Sequence, residues 1–401
     1  MTRDDTDILV VGGGLAGLAA TAACAARGFA TLGIDPAPPV TEEAAPGADL
    51  RSTAFLTPAV RFLARAGLWE ALAPHSAPLR TMRILDAGGR ENRVRERADF
   101  ASAEIGAEPF GYNLPNWLLR REMAARLTAL PHATLRRAAF ESITPRLDHA
   151  IVRLSDGTNV AARLVVAADG RDSPLRQALG IPAPVLRYGQ KALVFAVACT
   201  LPHQGTSTEI HRSGGPFTLV PLPDRDGIPH AAVVWMEDAA AAERLARLPV
   251  PDFEAALNAR ALGILGPLRL VTPRAVWPIR AQLALRFDGP RTALVAEAAH
   301  VMPPIGAQGL NTSLRDLDAL VTLVAAARAA GRDIGGPDLL AGYHRSRWPD
   351  ALIRVGGIDL LNRASQAELQ PLRDLRRAGL ALLHGLPPLR RAAMRLGLGA
   401  P

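Results

Sequence analysis

The chain has 401 residues, 49% hydrophobic and 21% charged, with a formal net charge of +8. That length carries two domains, or one large domain with an insertion, around a sizeable core. Lys191 is the single lysine, the arginines are scattered and aromatics make up only 4%, which speaks against nucleic acid as a partner, because such binders cluster basic residues and interleave aromatics.

The first residues, MTRDDTDILVVGGG, carry acids where a secretory leader needs positive charge. No apolar run reaches the roughly 18–20 residues of a membrane-spanning helix, so a cytoplasmic location is expected. Residues 7–11 (DILVV) are predicted as a buried parallel strand, 15–27 as an Ala-rich helix and 29–35 as a second strand ending on Asp35. Between them Gly12, Gly14 and Gly17 hold the G-x-G-x-x-G spacing. In this setting Gly12 permits the tight turn, Gly14 lets the backbone approach a pyrophosphate and Gly17 lets helix and strand pack closely. The helix N-terminus attracts the phosphates, and Asp35 stands where a ribose hydroxyl is bound. Cys24, in this helix, and Cys199 form neither a metal-ligand spacing nor a disulfide framework. No metal site is expected.

Further along, LVVAADGRDSPLRQALG (164–180) is an apolar strand ending in Asp169-Gly170. The runs KALVFAVACTL, FTLVPLP and HAAVVWM within 181–275 read as strands of a sheet, with 76–99 added to it. Residues 223–229 and 331–338 read as turn-rich loops. The stretch LVAEAAHVMPPIGAQGLN (294–311) is a strand, then a Pro- and Gly-rich turn that opens a helix. The tail, 371–399, is basic and amphipathic, with Leu372, Leu375, Leu382, Leu383 and Leu386 at helical spacing and Arg373, Arg376 and Arg377 elsewhere around the helix. It has two readings: a helix docking on an anionic membrane surface, or a hairpin broken at Pro387-Pro388 and packed on the cofactor domain.

These three motifs, in this order, resemble the FAD-dependent aromatic hydroxylases of the para-hydroxybenzoate hydroxylase type. The segments DLRSTAFLTPAVRFLARAGLWEAL (49–72), FASAEIGAEPFGYNLPNWLL (100–119), RYGQKALV (187–194), LPHQGTSTE (201–209) and AAHVMPPIGAQGLNTSLRDLDAL (298–320) narrow the resemblance to the ubiquinone-biosynthesis hydroxylases of the 2-polyprenyl-6-methoxyphenol hydroxylase type. The resemblance implies an α/β fold: a Rossmann-like FAD-binding domain of the glutathione-reductase type, an inserted β-sheet substrate domain and C-terminal helices. The FAD domain is expected at 1–75, 100–180 and 276–345, the substrate domain at 76–99 and 181–275, and the helical segment at 346–401.

The resemblance also implies cofactor contacts at Arg51, Arg120, Asp169, Gly170, Glu297, Pro304, Gly306, Gly309, Leu310 and Asn311. It implies FAD as cofactor, NAD(P)H as co-substrate, and hydroxylation of a polyprenyl phenol by O₂ through a flavin C4a-hydroperoxide. No side chain is nominated as catalytic acid or base, since the cofactor supplies the chemistry. One departure stands out: Ala296-Glu297 replaces the family's Gly-Asp. Glu can still accept from a ribityl hydroxyl, so the site is expected to persist. His300 is expected to close a local hydrogen bond beneath the loop, and Tyr188 and His203 receive no role. Rival readings are a prenyl reductase on the same scaffold or a non-catalytic scaffold subunit of a ubiquinone-making complex; a halogenase lacks its Trp-x-Trp-x-Ile-Pro segment here. Contact with the inner face of the cytoplasmic membrane through 371–399 is the remaining partner expectation.

Overall fold

A computed structural model describes residues 3–87, 93–106, 109–212, 214–366 and 370–399. Strand Arg3–Val11 lies in the first sheet, parallel to Thr31–Asp35 on one side and to Asn159–Ala167 on the other. Both of its faces are covered, which is why Ile8, Leu9, Val10 and Val11 run without alternation. Helix Leu15–Ala25 follows at once, and its residues from Ala16 to Ala25 are all buried. Small side chains let it wedge between the sheet and helices Asn116–Thr128 and Gln308–Ala329. The strand Thr292–Leu294 adds to the far side of Asn159–Ala167, again in parallel. Strands from the start, middle and end of the chain therefore meet in one sheet.

Among the described residues the second sheet has nine strands, and its central members are Val185–Cys199, Ile228–Asp238, Gly215–Arg225 and Thr206–Arg212. Its strands follow period two. Leu193, Phe195, Phe217 and Trp235 join a core with Phe253 and Leu257, residues of the helix Val250–Ala261. The alternate residues Ala192, Val194, Val220 and Val234 line a cavity on the other face. Thr81–Asp86 and Glu96–Ala101 form the outer edge of this sheet. Ala275–Leu283 pairs antiparallel with Val185–Cys199. The boundaries expected at 99/100 and 275/276 thus both fall inside strands of the second sheet, because each strand continues its hydrogen-bonded ladder across the boundary.

Helix Pro337–Gln366 spans the two sheets, so the boundary expected at 345/346 falls within it. Near its start the Tyr343 hydroxyl donates to Leu294 O; near its end Asn362 Nδ2 donates to Gln190 Oε1. Two further helices, Gln370–Gly385 and Pro387–Leu398, form the hairpin expected from the proline pair. They pack mainly on the second sheet, where Met394, Leu380 and Leu383 meet Ala98 and Phe100 and Arg390 pairs with Glu104, and touch the expected cofactor domain at Gly397, whose carbonyl accepts from Gln308. Arg377 is exposed, while the side chains of Leu372, Arg373, Leu375 and Arg376 lie outside the described residues. Leu382, Leu386, Leu389 and Leu396 keep 44–73% of their surface exposed. No described helix is long and apolar enough to cross a membrane. Both cysteines are buried, and burial pushes each thiol up to about 12.

Candidate active site

One cavity of about 1480 Å³ runs between the sheets, from Gly14, Arg51 and Glu297 at one end to Phe100, Leu383 and Met394 at the other. Pockets for single small ligands span roughly 300–1,000 Å³, so this one has room for two occupants. Its two ends differ in chemistry.

At the first end the Gly-rich turn is built as its spacing implies. Gly12 has φ +113°, and a Cβ there would stand 2.3 Å from Ala168 O. A Cβ at Gly17 would stand 1.8 Å from Gly12 O. Gly14 instead faces open space, with nothing within 4 Å of where a Cβ would be. Two glycines are therefore needed for backbone packing, and the third leaves room for a ligand at the N-terminus of an eleven-residue helix. Asp35 ends its strand beside this turn; its carboxylate accepts from the amides of Gly13 (2.6 Å) and Ala37 (2.9 Å). It keeps lone pairs for a further donor.

Arg51 and Arg120 converge on a residue not nominated from sequence, Asp49. Arg51 grips it through two hydrogen bonds of 2.8 and 2.7 Å, Asn116 donates to it at 3.0 Å, and Arg120 stands 3.9 Å away. Burial favours protonation of Asp49, but the hydrogen bonds and charge of Arg51, with Asn116 and Arg120, outweigh it and hold the carboxyl below its usual range. The Arg51 guanidinium also lies 4.4 Å from the centroid of the Trp277 ring. Two arginines against one acid leave net positive charge on this wall, suited to phosphate. Arg120 Nε is buried and has no partner among the described residues.

Asp169 and Gly170 line the cavity, but the Asp169 carboxylate is engaged internally. It accepts from Ser173 Oγ (2.5 Å) and the Leu175 amide (3.0 Å), closing the short helix Pro174–Ala178. Burial pushes its carboxyl up against those bonds. The turn it braces projects Arg171 across the cavity onto Glu297, at 3.1 and 3.3 Å. Ala296 adopts φ +55°, the left-handed region that glycine enters freely and that costs other residues roughly 1–2 kcal/mol. Alanine therefore retains the backbone for which the resembling family uses glycine. Glu297 remains 45% exposed to the cavity.

Pro304, Gly306, Gly309 and Leu310 line the cavity where helix Gln308–Ala329 begins. Asn311 does not reach the cavity wall. Its side chain is used up by backbone partners: Oδ1 accepts from the Leu56 amide, and Nδ2 donates to Ala54 O and Ala307 O. It clamps the helix start against strand Ser52–Leu56. Gln308 Nε2 donates to both Gly306 O and Gly397 O, joining this loop to the last helix. His300 Nε2 meets Asp316 Oδ2 at 2.6 Å, and Arg347 holds the other oxygen, the local closure expected of it. Tyr188 donates to Asp359, and His203 meets Leu222 O.

Of the residues missed from sequence, Asp49 and Arg171 adjoin quoted motifs and had a signal. Glu209 ends the quoted segment 201–209 and shared that signal, whereas Trp277 and His211 had none, because only the pairing of distant strands brings them to the cavity. No cluster of His, Cys, Asp and Glu able to hold a metal occurs among the described residues.

A mainly parallel sheet with a Gly-rich turn, opposed across one cavity by a mainly antiparallel sheet, agrees with the comparisons with known proteins, which place the chain among FAD-dependent monooxygenases. The family described as FAD binding domain matches residues 5–352. The chain is 37% identical to a ubiquinone hydroxylase, UbiL, of Rhodospirillum rubrum over 98% of this chain and 89% of that protein. It is 30% identical to the 3-demethoxyubiquinol 3-hydroxylase of Escherichia coli over the whole of both. Among solved structures, the p-nitrophenol 4-monooxygenase PnpA of Pseudomonas putida superposes with a TM-score of 0.80 at 18% identity, covering 100% of this chain and 99% of that one. The chain belongs to the ubiquinone-biosynthesis FAD hydroxylase family.

Proposed function

We propose that this chain hydroxylates the aromatic ring of a polyprenyl phenol in ubiquinone biosynthesis, with NAD(P)H as electron donor. The observation that carries the reading is the single cavity with two unlike ends. The glycine and arginine end fits a dinucleotide: open space at Gly14, paired arginines and an orphaned Arg120 Nε. The other end is walled by Met82, Val194, Val220, Val234 and Leu383 and fits a ring bearing a long hydrocarbon chain.

In this reading the turn at Gly12–Gly17 and the helix behind it hold the pyrophosphate of FAD, and Asp35 takes a ribose hydroxyl. Arg51 and Arg120 balance phosphate charge, and Glu297 accepts from the ribityl chain. Asp169 and Gly170 shape the wall beside it. Pro304, Gly306, Gly309 and Leu310 place the helix start against the flavin ring, where the helix's first amides offset negative charge. Bound there, FAD supplies the activation of O₂ for insertion into the ring. The protein holds the ring in place and keeps water out with its apolar wall. The exposed leucines of the last two helices, beside arginines such as Arg377 and Arg391, suit contact with an anionic membrane surface, where a prenylated substrate resides.

The test is turnover of a short-chain polyprenyl phenol under ¹⁸O₂ by the FAD-loaded protein with NADH or NADPH. A product that gains one ¹⁸O is expected. NAD(P)H consumption with no labelled product overturns the reading in favour of a reductase.

A further inference from the structure

We propose that Glu209 and His211 form the seat for the ring hydroxyl of the substrate. This deepens the hydroxylase reading above and rests on it. In strand Thr206–Arg212 the period-two alternation turns Ser207, Glu209 and His211 towards the cavity, while Ile210 joins the core on the opposite face. The neighbouring strands present Met82, Ile84 and Val220 on the cavity face. The pair is thus a polar fixture in a largely apolar wall.

Glu209 is only 5% exposed, and burying a carboxylate in such a wall is costly unless it is partnered. Its partner is His211, whose Nε2 lies 2.5 Å from Glu209 Oε1. With Nε2 donating to the carboxylate, Nδ1 of a neutral ring offers a lone pair and Nδ1 of a protonated ring offers a hydrogen, and a hydroxyl can pair with either. That Nδ1 is buried and has no hydrogen-bond partner among the described residues. Leaving a buried polar atom unpaired costs roughly 1–3 kcal/mol, and a phenolic hydroxyl that reaches Nδ1 removes that cost.

The groups around the pair do not compete for this role. Asp86, opposite His211 on the paired strand, is held by Arg95 at 2.9 Å. Arg260 approaches from the other side of the sheet and donates to Ile210 O and Gly215 O. A hydroxyl fixed at His211, with the hydrocarbon chain along the apolar wall, allows one orientation of the ring. The pair therefore bears on which ring carbon faces the flavin.

The experiment compares 2-farnesylphenol with farnesylbenzene, which lacks the hydroxyl, by titration of the FAD-loaded protein and the perturbation of flavin absorption. The wild type is expected to prefer the phenol by at least about tenfold in Kd, the worth of one buried hydrogen bond. His211→Phe is expected to bring the two compounds within about twofold, and Glu209→Gln to give an intermediate preference because the imidazole loses its charged anchor. A His211→Phe protein that keeps the full preference overturns the inference. If that variant does not fold, an unchanged preference in Glu209→Gln overturns it. A wild type that binds both compounds equally overturns the inference alone. A wild type that binds neither overturns the hydroxylase reading and the inference with it.

Discussion

The Gly-rich turn and the cavity face of the second sheet are the two ends of one site, yet they are built in different ways. At the turn, the construction depends on what is missing: side chains are absent at Gly12 and Gly17, where backbone meets backbone, and at Gly14, which faces open space. At the sheet, the cavity wall is made by side chains that arrive from strands far apart in the chain, such as Met82, Val194 and His211. The first kind of construction is written in local spacing. The second is written in strand register, which no short window contains.

Substitution within the turn separates the two demands placed on glycine, and it gives the largest effect. Gly17→Ala should unfold the first domain, since its methyl would stand 1.8 Å from Gly12 O and backbone cannot yield that far in a close-packed interior. Loss of both the cooperative melt and the 450 nm flavin band is expected. Gly14→Ala meets no atom, so its melt should stay near wild type while flavin affinity falls. Equal damage from both changes would break the distinction.

A smaller effect is expected from acid, through Asp49. Its carboxyl is held below the ordinary value of 3.8 in the folded protein. Its stabilisation is therefore complete above that value and is lost as pH falls through the lower folded one. Acid unfolding followed by circular dichroism should show a shallower loss of stability below pH 3.8 in Asp49→Asn, which has no such proton to take up. The variant should also be less stable at neutral pH, because Arg51 and Arg120 lose their shared counter-charge.

The smallest change concerns Ala296. With φ +55°, replacement by glycine relieves left-handed strain but gives back chain entropy. A gain of at most about 1 kcal/mol is expected, seen as a slightly raised melting temperature. A loss of stability would mean that the alanine methyl contributes more by packing than its backbone costs.

Much of the first domain was legible in the sequence. The strand, turn, helix and strand around Gly12–Gly17 are local, and Asp35 ends its strand as the spacing requires. The loop from Pro304 to Leu310 was read as a cofactor loop and does line the cavity. Asn311 was expected at the cofactor from the resemblance alone; its side chain is engaged by Leu56, Ala54 and Ala307, an arrangement that no short window of sequence shows. Arg171 stood inside the quoted segment 164–180, but its role depends on Glu297, which only the fold brings opposite it. The extent of the second sheet was misjudged at 99/100 and 275/276 because hydrogen bonding between distant strands, and not composition, decides where a sheet ends.

The amide of Gln308 spans two carbonyls, one in the cofactor loop and one in the last helix. The cavity loop and the last helix thus share one donor, and any coupling that runs through it is reciprocal by thermodynamic necessity. One amide thereby fastens the chain's last turn of helix to the rim of the dinucleotide end, so trimming the C-terminus would loosen that rim as well.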